Sequence, residues 1–104
     1  MTSNIKIINE NEFLSDDKEF TVKCILFKEI LTNSISEETE IYGIELQKLS
    51  SDNYLIEKEI VNGITSNINF ALYVFNVLSE NKVTPICLCG VIDDLIGQSE
   101  SNAQ

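Results

Sequence analysis

The sequence predicts an α+β fold, a three-stranded antiparallel β-meander followed by two C-terminal helices packed on one sheet face. Two observations carry this. Residues 64–96 repeat apolar side chains at helical spacing on both sides of a Thr-Pro break, and residues 19–61 alternate in the manner of strands. A third is the turn cluster Ser50-Ser51-Asp52-Asn53, which joins two alternating runs into a hairpin.

The helices come first because the strands need their apolar surface. Ile64, Ile68, Ala71, Leu72, Phe75 and Leu78 recur three and four apart, which stacks them on one helix face. Phe70, Val74 and Val77 widen that stripe. Thr65 or Ser66 can cap the start, and Asn81-Lys82 suits the end. Thr84 then serves as an N-cap with Pro85 at the first helical position, where a missing N–H costs nothing. Leu88, Val91, Ile92, Leu95 and Ile96 form the second stripe, and Gly97 is a natural stop. Asp93 and Asp94 fall on the opposite face, where carboxylates near a helix C-terminus oppose the macrodipole.

In the strand half, Phe20, Val22, Cys24 and Leu26 alternate before Phe27, Ile30 and Leu31 break the phase. This predicts a strand with a bulge near Ile25-Leu26, with a helix over residues 25–31 as the alternative. Residues 32–38 form a polar loop. Tyr42, Ile44 and Leu46 then face one way, with Gly43, Glu45 and Gln47 opposite. After the turn, Tyr54, Ile56 and Ile60 fall on one face and Leu55, Glu57, Glu59 and Val61 on the other. The expected dry interface sets Tyr42, Ile44, Leu46, Tyr54, Ile56 and Ile60 against Ile68, Leu72, Phe75, Leu88, Val91, Ile92 and Leu95. Residues 1–18 are expected to be a peripheral, partly ordered segment, in which Ile5, Ile7 and Ile8 make a short strand or tuck over an edge, and 98–104 a frayed tail, within one domain over 1–104.

Composition excludes several functions. Seventeen acidic residues stand against seven lysines, with no arginine or histidine, for a net charge of -10. Such a field repels phosphate backbones and anionic lipid, so neither direct nucleic-acid binding nor membrane binding is expected. No apolar run is long enough to span a bilayer and the N-terminus lacks a signal-peptide pattern, which predicts a soluble, cytoplasmic protein. Cys24, Cys87 and Cys89 are odd in number and sit among apolar residues, the pattern of buried reduced thiols.

Two stretches carry a resemblance. Tyr42-Gly43-Ile44-Glu45-Leu46, and Val83-Thr84-Pro85 followed by Leu88 and Val91-Ile92-Asp93-Asp94-Leu95, resemble the bacterial domain of unknown function 6514. The resemblance covers about residues 19 to 96 and implies a short cytosolic protein of low-GC Gram-positive bacteria with this strand, hairpin and helix order. No activity is assigned to that family, so no catalytic residue carries over.

Candidate chemistries are few. Cys87-x-Cys89 on a helix points its thiols about 200° apart, so they cannot grip one metal ion together. Cys87 near a helix N-terminus is the one thiol with a route to activation. Asp93-Asp94 do not converge on a cation either. Glycines 43, 63, 90 and 97 form no phosphate-cradling loop, and without histidine no nucleophile–base pair is set up locally. No catalytic, cofactor-binding or metal residues are therefore expected. Solvated charge is the commoner role for Asp93 and Asp94, and for Glu45, Glu57 and Glu59 on the wet sheet face, with partner recognition as the functional one. The expected function is a non-enzymatic cytosolic protein that binds an unidentified protein partner, with homodimerisation through a sheet edge or helix face as one form. The alternative is an acidic inhibitor that mimics nucleic acid, which requires the carboxylates to gather into one stripe.

Overall fold

A computed structural model describes residues 2–15, 18–33, 35 and 37–102. Met1, Asp16, Asp17, Ser34, Ser36 and the last two residues of the expected tail lie outside the described residues. The order is β1 (Thr2–Leu14), β2 (Thr21–Thr32), β3 (Glu38–Leu49), β4 (Leu55–Thr65), α1 (Ile68–Glu80), a 3₁₀ turn (Pro85–Cys87) and α2 (Leu88–Asn102). The strands pair in sequence order as a four-stranded antiparallel meander. The expected three-stranded sheet is thus corrected to four. The fourth is β1, in the segment expected to be peripheral, which pairs along nearly the whole of β2.

Cross-strand register decides which side chains share a face. On the helix side Val22, Cys24 and Leu26 of β2 lie beside Lys48, Leu46 and Ile44 of β3, with Val61 of β4 opposite Ile44. These apolar residues, with Tyr42, pack against Ala71, Val74, Phe75 and Leu78 of α1, Val83, and Leu88, Ile92 and Leu95 of α2. Leu26, Ile44, Leu46, Leu78 and Leu88 are fully buried. Both helices lie on this one side, and the molecule is only 18 Å through its shortest dimension. That thickness fits one sheet and one helical layer at roughly 10 Å spacing.

The hairpin turn forms as its residues require. Ser50 Oγ accepts from Tyr54 N–H at 3.1 Å, Asn53 N–H donates to Ser50 O at 2.9 Å, and Asn53 takes φ 66°. Beyond it β4 departs from the expected phase. Its pairing slips at both ends, between Tyr42 and Ile44 and between Lys48 and Leu49 of its neighbour. The one-residue slip between Lys48 and Leu49 places Val61, not Ile60, over the core. Tyr54, Ile56 and Ile60, expected in the dry interface, are exposed, Tyr54 at 72%. Ile68, expected to face the sheet, is also exposed, while Leu72 and Val91 are half-buried.

The phase break in β2 also has a physical origin. β2 is one continuous strand, so the helical alternative over residues 25–31 is excluded. The irregularity lies opposite Phe27 and Leu26, but the extra residue is Ile8 of β1, between Ile7 and Asn9. β2 breaks alternation because Ile25 and Phe27 are buried as well as Cys24 and Leu26, on opposite faces.

Helix boundaries are corrected too. Thr65 ends β4, and Asn67 caps α1, its Oδ1 accepting from Asn69 N–H at 2.8 Å and Phe70 N–H at 3.3 Å. Val83 N–H closes the helix end on Leu78 O at 3.0 Å, with Lys82 at φ 52°. Thr84 makes no side-chain cap. Gly97 does not stop α2, which runs on to Asn102, so most of the expected frayed tail is helix and Asp93-Asp94 lie mid-helix.

Candidate protein-binding face

With both helices on one side, no described element covers the other side of the sheet. Its side chains form rows across the strands. Glu12, Lys23, Gln47 and Lys58 make one row, and Glu10, Ile25, Glu45 and Ile60 the next. Ile7, Phe27 and Gly43 follow, then Ile5, Glu29 and Ile41.

Gly43 shapes the centre. A Cβ there would sit 2.5 Å from Phe27 Cζ and 2.7 Å from Val61 O. The missing side chain lets the Phe27 ring approach the β3 backbone closely, where it is buried despite having no helix above it. Beside it Ile5, Ile7 and Ile60 are 65%, 57% and 38% exposed. With Ile25 they line an open depression of about 480 Å³, whose polar groups are Glu29, Glu45 and Asn62. The Gln47 side-chain amide donates to the Glu45 carboxylate. Lys23 pairs loosely with Glu10 at 3.9 Å, one row away, and no lysine lines the depression. The site is an apolar floor with carboxylates on its wall.

The five acidic residues singled out from the sequence do not form one patch. Glu45 lies in the depression, half-buried. Glu57 and Glu59 stand opposite Lys48 and Leu46, on the helix side. Glu57 pairs with Lys48 at 3.6 Å, and the same ammonium sits 4.3 Å from the Phe20 ring centroid. Asp93 and Asp94 are exposed on the outer side of α2. The shared wet face expected for Glu45, Glu57 and Glu59 is therefore corrected by the same slip in β4. Ile5, Ile7, Phe27, Glu29 and Ile60 were not singled out; Gly43 in an otherwise alternating strand was the available signal.

The three thiols differ. Cys24 is buried in the core, and burial raises its pKa to about 11, against a smaller opposing effect of the Ser79 hydroxyl. Cys87 and Cys89 are exposed, not buried as expected. No group of three or more metal-ligating side chains occurs among the described residues. No described helix is long and apolar enough to cross a membrane.

No curated protein and no solved structure matches the chain. The model of one family, described as a family of unknown function, matches residues 4–98, which takes in all four strands and most of α2. The chain, from its first strand to the end of its core-forming helix stripe, belongs to the family of unknown function DUF6514.

Proposed function

We propose that this is a small non-enzymatic cytoplasmic protein that works by binding another protein through the uncovered face of its sheet. The observation that carries this reading is the apolar floor of Ile5, Ile7, Phe27 and Ile60, contiguous and partly open to solvent. Contiguous exposed apolar area of this kind is characteristic of interaction surfaces. Two exposed, unbridged thiols support a reducing compartment. The absence of histidine leaves lysine as the sole basic partner for any nucleophile, which supports a binding role over a catalytic one. The strand carboxylates divide between the faces, Glu10, Glu12, Glu29 and Glu45 on one and Glu38, Glu40, Glu57 and Glu59 on the other. That division favours protein binding over mimicry of nucleic acid.

Affinity capture of the tagged full chain from its host lysate, at low and high salt, tests the reading. The expected result is one stoichiometric partner that survives high salt, since apolar contact is not screened. Recovery of nucleic-acid-binding proteins alone, lost as salt rises, would contradict it in favour of the mimic.

A further inference from the structure

We propose that the uncovered face docks a basic amphipathic helix of the partner, its apolar stripe on Ile7, Phe27 and Ile60 and its cations against Glu29 and Glu45. This rests on the protein-binding reading above and specifies the surface and the chemistry of what it takes.

Charge selects the occupant. The charged groups lining the depression are both carboxylates, and its other polar group is Asn62. Lys23 and Lys58 stand in a separate row beyond them. Covering the floor strips water from Glu29 and Glu45. A neutral or acidic occupant would leave those carboxylates dry and unpaired, whereas lysine or arginine flanking an apolar stripe satisfies them. A second copy of this chain is a poor occupant, because it brings the same carboxylates and a second net charge of -10.

Geometry selects the helix. The surface is a sheet face rather than an edge, and the opposite face already accepts two helices. From Ile25 to Glu29 the floor runs four strand steps, about 13 Å. A helix covers that length in about nine residues, enough to present apolar side chains at i, i+4 and i+7.

The test uses the full chain and a designed helical peptide bearing a leucine stripe flanked by lysines, with a companion carrying glutamates in place of lysines. Fluorescence anisotropy at physiological salt reads affinity, and amide chemical shifts read location. The lysine peptide is expected to bind and the glutamate peptide not, with shifts confined to residues around Ile7, Phe27, Glu45 and Ile60. Glu29→Gln with Glu45→Gln should weaken binding about tenfold, a loss on the order of 1.4 kcal/mol. Asp93→Asn with Asp94→Asn removes the same charge elsewhere and should change affinity little. Ile7→Ser with Ile60→Ser should abolish binding while circular dichroism stays unchanged. Equal effects of the two charge pairs, equal binding of both peptides, or shifts on α1 and α2 would overturn the proposal. So would a dimer of the chain that Ile7→Ser with Ile60→Ser dissociates, since the face would then be taken by a second copy. Should the peptide fail while a lysate partner is retained by the Ile7→Ser, Ile60→Ser variant, this surface falls, and with it the sheet face as the binding site, while a protein-binding role through another surface stands. Failure of both falls on both.

Discussion

Replacing Gly43 with alanine should destabilise the protein, although the same change in an ordinary strand would stabilise it. Alanine restricts the unfolded chain and is normally worth about 0.5–1 kcal/mol over glycine inside a strand. Here the added methyl would meet Phe27 Cζ at 2.5 Å, Phe27 Cε2 at 2.8 Å and Val61 O at 2.7 Å. The ring can shift at some cost in burial, but the Val61 carbonyl is backbone of the neighbouring strand. Overpacking of this kind costs about 1–3 kcal/mol, so after the gain in propensity a net loss of about 1 kcal/mol is expected. For a chain of this length that lowers Tm by about 5 °C. Thermal unfolding followed by circular dichroism reads the shift. Repeating Gly43→Ala in a Phe27→Ala background removes the ring's share of the clash, so the second measurement should show a smaller loss. A neutral or stabilising Gly43→Ala would refute the close approach of Phe27 to the β3 backbone, and with it the described floor of the depression.

Further outcomes follow from the register, the caps and the thiols. Val61→Asp should cost about 3 kcal/mol in urea unfolding and Ile60→Asp about 1, because only Val61 packs against the helix-side core. Reversal of that order would restore the phase expected from the sequence. Asn67→Ala should cost about 1 kcal/mol through loss of the two N–H acceptor contacts at the start of α1. A thiol reagent at pH 8 should label Cys87 and Cys89 quickly and Cys24 only on unfolding, as read by mass spectrometry. The raised pKa of Cys24 also fixes a pH dependence. Between its ordinary value of 9.0 and about 11 the unfolded chain loses this proton while the folded chain keeps it. Stability contributed by the neutral thiol is complete below pH 9 and falls as pH rises through that window, by on the order of 2 kcal/mol. Cys24→Ala should flatten the fall.

Much of the frame was legible because its signals are local. The turn at Ser50–Asn53, the strand Tyr42-Ile44-Leu46 and the stop at Asn81-Lys82 each rest on a few neighbouring residues and form as read, and the helical stripes do so apart from Ile64, which lies in β4, and Ile68, which is exposed. Strand β1 was legible only as a short stretch at Ile5, Ile7 and Ile8, and its full length was missed for the opposite reason. Most of its described side chains are exposed, so it is held by backbone pairing to β2 rather than by burial, and leaves no alternating pattern. The phase of β4 was lost because a one-residue slip of pairing beside the turn shifts it against β3, and periodicity counts residues as though pairing were regular. That error carried directly into the site. With Ile60 assigned to the core and Glu57 and Glu59 to the wet face, the apolar depression disappears and a false acidic patch takes its place. Gly43 marks an oddity in its own strand, but its contact with the Phe27 ring joins residues on different strands and has no local signal. Extension of α2 through Gly97 gained no sequence support because a single glycine costs a helix only about 1 kcal/mol.

The uncovered sheet face is best tested as the partner interface by site-specific photo-crosslinking in the native host. A photoreactive side chain is placed at Ile7, on the open face, or at Tyr73, exposed on the outside of α1. One discrete adduct from position 7 and none from position 73 is the result expected of a sheet-face interface. An adduct from position 73 with none from position 7 would place the partner on the helices and contradict it.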